Sequence, residues 1–196
     1  MPNPFVYGEV VPASAFVDRV VELDRLIVDL AASQKIFLIS PRRYGKSSLI
    51  RRALLAMAKR GVLTVEVTVS SFSSYVGFLE GYSQALLAAE TKWDRGRDWL
   101  RETIRSARPE VRYAPHVSSR GSLAVSFPGV KSDRDVSQLA PEVFALPARL
   151  AESRRRHVVV ALDEFQAING FNGGSVEPPF STSVRWGTCL PAPSQA

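Results

Sequence analysis

The sequence predicts an α/β protein whose parallel sheet lies between two layers of helices, and three observations carry this prediction. Apolar runs at 35–40, 62–69 and 157–162 have the length and composition of buried strands. Stretches with helical spacing separate these runs. The resulting order of strand, helix, strand, helix and strand favours parallel pairing, because each helical crossover returns the chain to the same edge of the sheet. We therefore expect a three-layer α/β/α sandwich.

An extended arm and a first helix are predicted at the start of the chain. Residues 1–18 contain three prolines and are expected to form the arm, with Asp18 capping a helix over 19–32. The apolar face of this helix is formed, at helical spacing, by Val20, Leu23, Leu26, Ile27 and Leu30.

Further helical patterns lie between the predicted strands, and one feature departs from the alternation. The predicted helices span 46–60, 73–91, 95–107 and 137–154. Two strand-like arms at 111–113 and 122–127 flank Gly121 and predict a β-hairpin. We interpret this hairpin, near 111–127, as an insertion into the α/β core.

The composition is that of an ordinary globular domain of 196 residues, with 45% hydrophobic and 22% charged residues. No apolar run approaches the ~18 to 20 residues that span a bilayer, and the N-terminus lacks a secretion signal, so we expect a cytoplasmic protein without a membrane partner. The net charge of +6 comes mainly from 20 arginines. It favours polyanions as ligands in general, and the coding bias of a GC-rich genome is the alternative explanation.

The turn after the first predicted strand has the pattern of a phosphate-binding loop. The candidate nucleotide-binding residues are Pro41, Arg42, Arg43, Tyr44, Gly45, Lys46, Ser47 and Ser48. Gly45 would let the backbone approach the phosphates, Lys46 would neutralise the β and γ oxygens, and the Ser47 hydroxyl would ligate Mg²⁺. Ser48 is expected to pack one residue further into the helix. The full pattern has glycine where this chain has Ser40, so a chance Gly-Lys-Ser is the alternative.

An acidic pair ends the last predicted strand. Apolar residues at 158–162 precede Asp163 and Glu164, a Walker B pattern in which the aspartate holds Mg²⁺ and the glutamate orients or deprotonates the attacking water. The alternative is an acidic helix cap after a core strand. Both motifs in this order, about 117 residues apart, are less frequent by chance than either alone.

Together these motifs resemble those of the prokaryotic, archaeal-type ATPases related to the AAA+ and STAND families. The resemblance covers about residues 3–176 and rests on Asn3-Pro4-Phe5, Tyr7-Gly8, the segment from Phe16 to Leu23, that from Ser40 to Ile50, and that from Leu162 to Gln166. It implies an additional-strand P-loop fold, in which a later strand separates the Lys46 strand from the Asp163 strand. It also implies ATP and Mg²⁺ as cofactors and places Phe16 and Arg19 near the adenine, where packing of the first helix is the alternative.

The chain changes character after about residue 170. We assign 1–30 to the arm and first helix, 31–170 to the P-loop ATPase core, and 171–196 to a divergent, proline-rich tail. In a shifted reading frame from Trp186, the degenerate codons permit a segment similar to the strand that the family would place here. We interpret this as a frameshift near 176–178 that leaves the core incomplete at its C-terminus. A naturally divergent tail is the alternative.

The expected function is ATP binding, with Mg²⁺-dependent hydrolysis weak or absent in a truncated chain. Lys46 and Glu164 would be the catalytic residues, and Ser47 and Asp163 the metal ligands. One alternative is a non-catalytic regulatory or nucleic-acid-binding module that retains the fold. A truncated product without a stable function is another.

Overall fold

The computed structural model describes residues 19–39, 44–89, 93–114 and 122–174. Within these ranges the helices are α1 Val20–Ala31, α2 Lys46–Lys59, α3 Tyr75–Ala89, α4 Trp93–Thr103, α5 Asp133–Phe144 and α6 Leu146–Arg154. The strands are β1 Leu63–Thr68, β2 Glu110–Ala114, β3 Ser122–Ser126 and β4 Val158–Asp163. Short 3₁₀ helices follow β1 at Val69–Ser71 and β4 at Phe165–Gly174.

Strands β1 and β4 form a parallel pair, although about 90 residues separate them in the sequence. Their register runs from Leu63 opposite Val158 to Thr68 opposite Asp163. Both strands therefore end at the same edge of the pair, and the residues that follow them meet there. The molecule is a mixed α/β protein with a small parallel sheet, as the sequence predicts.

Helices cover both faces of this parallel pair. Alternate side chains of β1 are buried, as expected for a strand with period-two side chains. Its Leu63, Val65 and Val67 belong to the larger core, together with buried residues of α3, α5 and α6. On the opposite face, Val159 of β4 packs in a second cluster with Ile27, Ala53, Leu54, Met57 and Val62.

The aromatic residues of α3 lie in the larger core, as their helical spacing predicts. Phe78 is fully buried, and its ring contacts Tyr82, Phe144 and Phe171 edge-on or tilted at centroid distances of 6.0 to 6.1 Å. Such ring pairs add stability beyond the area that they bury. The aromatic residues of this helix therefore serve packing.

The predicted hairpin arms form an antiparallel pair, with Val111 of β2 opposite Val125 of β3. Both of these valines are buried. A carboxylate oxygen of Glu80, on α3, accepts the backbone N–H of Phe127 at 2.8 Å and fastens the end of β3 to the helix. The hairpin is thereby packed on the α/β core.

The segment predicted as one helix over 137–154 is two helices. Helix α5 begins earlier because Ser132 and Asp135 form a reciprocal capping box at its N-terminus. A second helix, α6, starts after Ala145 with Pro147 in its first turn. Proline has no N–H to donate to the preceding turn, so Pro147 suits the first turn of α6, whereas Pro141 lies inside α5.

The predicted buried strand at 35–40 is wrong for the residues that the structure describes. Residues 34–39 form no strand, and the side chains of Phe37 and Ile39 are 82% and 94% exposed. The physical reason is pairing: a strand requires a neighbour for its N–H and C=O groups, and β4 is hydrogen-bonded to β1 alone among the described residues. Local hydrophobicity predicted a strand, but no strand in the described part of the sheet pairs with residues 34–39.

Helix α1 begins at Val20 with Arg19 as its N-cap residue and no side-chain cap, so the capping role expected of Asp18 is not seen at the described start of the helix. Asp18 itself, the arm at 1–18 and the tail beyond 174 lie outside the described residues, as does the expected frameshift. No helix in the described ranges is long and apolar enough to cross a membrane.

Candidate functional site

The N-terminus of α2 is built to face an anion. Gly45 is its N-cap residue in the left-handed region, with φ of 72°, a conformation that favours glycine. No side chain of the described residues caps the helix, and its first turn contains no acidic residue. The partial positive charge of the helix terminus therefore favours an anion there. A Cβ at Gly45 would meet no atom of the described residues within 4 Å.

The first two residues of α2 reach the end of β4. The Lys46 Nζ atom lies 3.0 Å from Oδ1 of Asp163, and the Ser47 hydroxyl donates to Oδ2 at 2.7 Å. The structure thus brings together the three side chains that the sequence predicts to hold phosphate and metal. The packing of α2 on the β1–β4 pair, with Met57 and Val159 in one cluster, sets this approach.

Asp163 is buried and negatively charged at neutral pH. Burial alone would raise the pKa of its carboxyl, but hydrogen bonds from Ser47 and Lys46 and from the Glu164 N–H outweigh it and hold the pKa below its usual value of 3.8. The Lys46 side chain is more exposed, 28% against 9% for Asp163. The ammonium group can therefore leave the carboxylate for a ligand without being taken out of water.

Glu164 directly follows the strand and has an unusual backbone conformation. Its φ is 53°, in the left-handed region that non-glycine residues seldom occupy, and its N–H donates to Oδ1 of Asp163 at 2.9 Å. The Ser70 hydroxyl donates to its exposed carboxylate. This conformation turns the Glu164 side chain across the end of β1.

Ser70 is a site residue that the sequence analysis missed. It lies just after β1, as Glu164 lies just after β4, and the β1–β4 register ends with Thr68 opposite Asp163. Residues that follow parallel strands in register meet at one edge, so the register would have identified Ser70. The sequence alone does not supply that register.

Arg19 links the first helix to the phosphate-loop candidate. Its Nη1 donates to the Tyr44 carbonyl at 2.8 Å, while Nε and Nη2 bind the carboxylate of Glu22 at 2.7 and 3.2 Å. The carboxylate raises the pKa of the already basic guanidinium. The start of α1 therefore lies beside the turn that precedes α2.

The other predicted loop residues have different positions. Tyr44 is 67% exposed at the start of the described turn, and Ser48 is buried within α2, as expected of a packing residue. Pro41, Arg42 and Arg43 lie outside the described residues, together with Ser40.

Comparison with protein-family models, characterised proteins and solved structures found no match.

The residues present fit a nucleotide with Mg²⁺. A helix N-terminus, an amine and a hydroxyl meet a carboxylate, the donor set that phosphate and a hard cation require. No group of three or more histidine, cysteine or acidic side chains in the described ranges could hold a metal by itself. A Mg²⁺ ion bound through a nucleotide needs only one or two protein ligands because phosphate and water supply the rest.

Proposed function

We propose that this chain is the core of a P-loop ATPase that binds ATP with Mg²⁺. One observation carries the proposal: Lys46 and Ser47, at an uncapped helix N-terminus, contact Asp163 at the end of a parallel strand. A phosphate-binding turn and an acidic strand end, 116 to 117 residues apart in sequence, thus form one site. The family resemblance of both motifs supports the same conclusion.

Each side chain has a separate role in this proposal. Lys46 leaves Asp163 and neutralises the β and γ phosphate oxygens, while the N–H groups of the first turn of α2 bind the same phosphates. Ser47 and Asp163 hold Mg²⁺, which would neutralise charge on the phosphates when bound. Glu164 accepts a proton from the attacking water.

A purely structural ion pair is the alternative role for Lys46 and Asp163. A buried pair contributes little net stability, because desolvation of both charges offsets their attraction. The pair here lies at a helix N-terminus that no described side chain caps, and no described atom lies within 4 Å of a Cβ at Gly45. A phosphate ligand would use both features.

The contacts on either side of residues 34–45 fit the additional-strand class. The Ser33 hydroxyl lies 3.2 Å from Nε2 of His157, just before β4, and Ser47 contacts Asp163, the last residue of β4. The described part of the segment, 34–39, is not hydrogen-bonded to β4. In the additional-strand class a further strand separates the two, as the resemblance implies.

Nucleotide binding by two lysine variants of α2 tests the proposal. Lys46→Ala removes the charge directed at the phosphates, and Lys59→Ala removes an exposed lysine at the opposite end of the same helix. We expect Lys46→Ala to weaken Mg-ATP binding by at least 10²-fold, since one preorganised electrostatic contact is worth roughly 3 to 4 kcal/mol. Lys59→Ala should bind like the unmodified chain. Equal ATP affinity in a folded Lys46→Ala protein, measured by calorimetry, would refute the phosphate-loop assignment.

A further inference from the structure

A basic cleft lies beside the C-terminal end of α4, outside the site described above. Its volume is about 890 Å³, and three arginines contribute to its lining: Arg101 in the last turn of α4, followed by Arg105 and Arg108. Pro128 and Gly129, in the turn after β3, also line the cleft. The cleft thus combines a concave shape with a concentration of positive charge.

The arginine charges are not neutralised within the described part of the chain. All three side chains are exposed, and none belongs to an ion pair there. Two nearby carboxylates, one of which lines the cleft, have other partners. Glu110 pairs with Arg112 at 2.6 Å, and Glu142 accepts the backbone N–H groups of Arg105 and Ser106 at 2.7 and 3.1 Å.

The backbone that carries these arginines is held in place. Ile104 and Ala107, between them in sequence, are 2% and 7% exposed and belong to the larger core. The Arg149 guanidinium donates to the Thr103 carbonyl at 2.7 Å and satisfies an acceptor at the end of α4. Ile104 and Ala107 therefore anchor the segment in the core, and the guanidinium groups extend from an anchored backbone.

We propose that this cleft binds the sugar-phosphate backbone of single-stranded nucleic acid. Guanidinium groups bind phosphate oxygens through paired N–H donors, and their planar faces stack on unpaired bases. The three arginines are spaced four and three residues apart along one anchored segment, which suits successive charges on a polymer more than one small anion. The proposal does not depend on ATP binding at Lys46.

The position of the charges in an open depression favours single-stranded over duplex nucleic acid. Proteins that read a duplex insert a protruding helix or ribbon into a groove, the major groove being about 12 Å wide. Here the charges line a depression, into which a flexible strand can bend. Single-strand binding proteins use such a positively charged groove to follow the backbone.

Anisotropy of a labelled oligothymidylate, longer than the ~16 nucleotides that a single-strand site covers, tests this inference in buffer without nucleotide or Mg²⁺. Three phosphate contacts predict a salt slope of about −2, so affinity should fall about 20-fold between ~50 and ~200 mM salt. The triple variant R101Q/R105Q/R108Q should lose that slope and bind at least tenfold more weakly at the lower salt. A control triple, R25Q/K59Q/R60Q, removes the same charge from exposed positions elsewhere and should bind like the unmodified chain.

Several outcomes would overturn the inference. They are no binding by the unmodified chain, equal losses in both triple variants, equally tight binding of a duplex, and equally effective competition by polyglutamate of matched charge. The last would indicate an acidic protein segment as the ligand. If the triple variant does not fold, Arg105→Glu replaces it, because reversal of one exposed charge should still weaken binding severalfold. Unchanged affinity in that variant would equally overturn the inference.

Discussion

The hydroxyl of Ser47 lies 2.7 Å from Oδ2 of Asp163, although 116 residues separate them in the sequence. Lys46 binds the other carboxylate oxygen at 3.0 Å, so one buried acid holds both residues that begin α2. The contact joins the two motifs on which the proposed function depends.

Asp163→Asn should remove the dependence of ATP binding on Mg²⁺. The amide retains the shape of the side chain but loses the charge that attracts Mg²⁺, while the phosphates lose a repulsive neighbour. We expect ATP affinity to become insensitive to Mg²⁺ and binding in chelator to be unchanged or stronger. Calorimetric titrations of ATP with Mg²⁺ and with chelator measure this. A variant that still binds ATP more tightly with Mg²⁺, by the same factor as the unmodified chain, would exclude Asp163 as a metal ligand.

Glu164→Gln should retain ATP binding and lose hydrolysis. The amide preserves the shape of the side chain but cannot accept a proton from water, and a general base contributes about 10² to 10⁴ in rate. Single-turnover hydrolysis of labelled ATP, beside a binding titration, separates the two effects. If binding and turnover fell equally in a folded protein, Glu164 would have a structural role.

Ser70→Ala provides the companion test for the residue that only the structure identified. It removes the hydroxyl that donates to Glu164 and leaves the carboxylate itself intact. We expect the rate of single-turnover hydrolysis to change while ATP affinity stays the same. Ser70 is hydrogen-bonded to Glu164, the proposed base, and in the described ranges no such bond joins it to Lys46, Ser47 or Asp163. Loss of ATP affinity in this variant would show that Ser70 supports the fold of the loop instead.

The chain as given should hydrolyse ATP well below about 1 s⁻¹, a low turnover for an enzyme. In the described ranges no arginine is hydrogen-bonded to Glu164, and in P-loop enzymes an arginine finger is worth roughly 10³ to 10⁵ in rate. Residues 34–39 also lack a ladder to β4, so the strand that would carry a polar sensor is not in place among the described residues. Phosphate release, corrected with the Lys46→Ala protein as background, measures the rate. Ordinary turnover together with cooperative melting would show that the chain completes its own sheet.

Stability should decrease in mild acid through His157. Burial lowers the pKa of this imidazole, which lies beside the Ser33 hydroxyl, below its usual 6.5. The unfolded chain therefore binds the proton more readily than the folded one. The stability that the neutral imidazole contributes is complete above pH 6.5. It is lost as the pH falls through the lower pKa of the folded state.

Urea unfolding at several pH values, compared between the unmodified chain and His157→Gln, isolates this effect. The free energy of unfolding should fall more steeply with acid in the unmodified chain. Parallel pH profiles for the two proteins would mean that His157 does not titrate differently on folding.

The element types were predictable where side-chain periodicity is strong. Helix α2 and strands β1 and β4 occupy nearly the predicted ranges, because one apolar face or a short β-branched run is a local property of the sequence. The break between α5 and α6 was missed although Pro147 signals it. Periodicity continues across such a break, and only the missing N–H interrupts the backbone ladder.

The strand predicted at 35–40 failed for a different reason. Phe37 and Ile39 have the hydrophobicity of a buried strand, but burial requires a neighbouring element, and the described sheet places none beside them. Whether an apolar run becomes a strand is decided by hydrogen-bond partners elsewhere in the chain. No local pattern contains that information.

The sequence by itself determined the chemistry available to this protein: a glycine, a lysine and a serine at the start of one helix, and an acidic pair at the end of one strand. The tertiary structure alone decided which of these groups meet. The parallel register of β1 and β4 sets Ser70 against Glu164, and the packing of α2 sets Ser47 against Asp163. The physical reason is one of range: residue types and periodicity act over a few positions, whereas contacts across 94 to 116 residues depend on how whole elements pack.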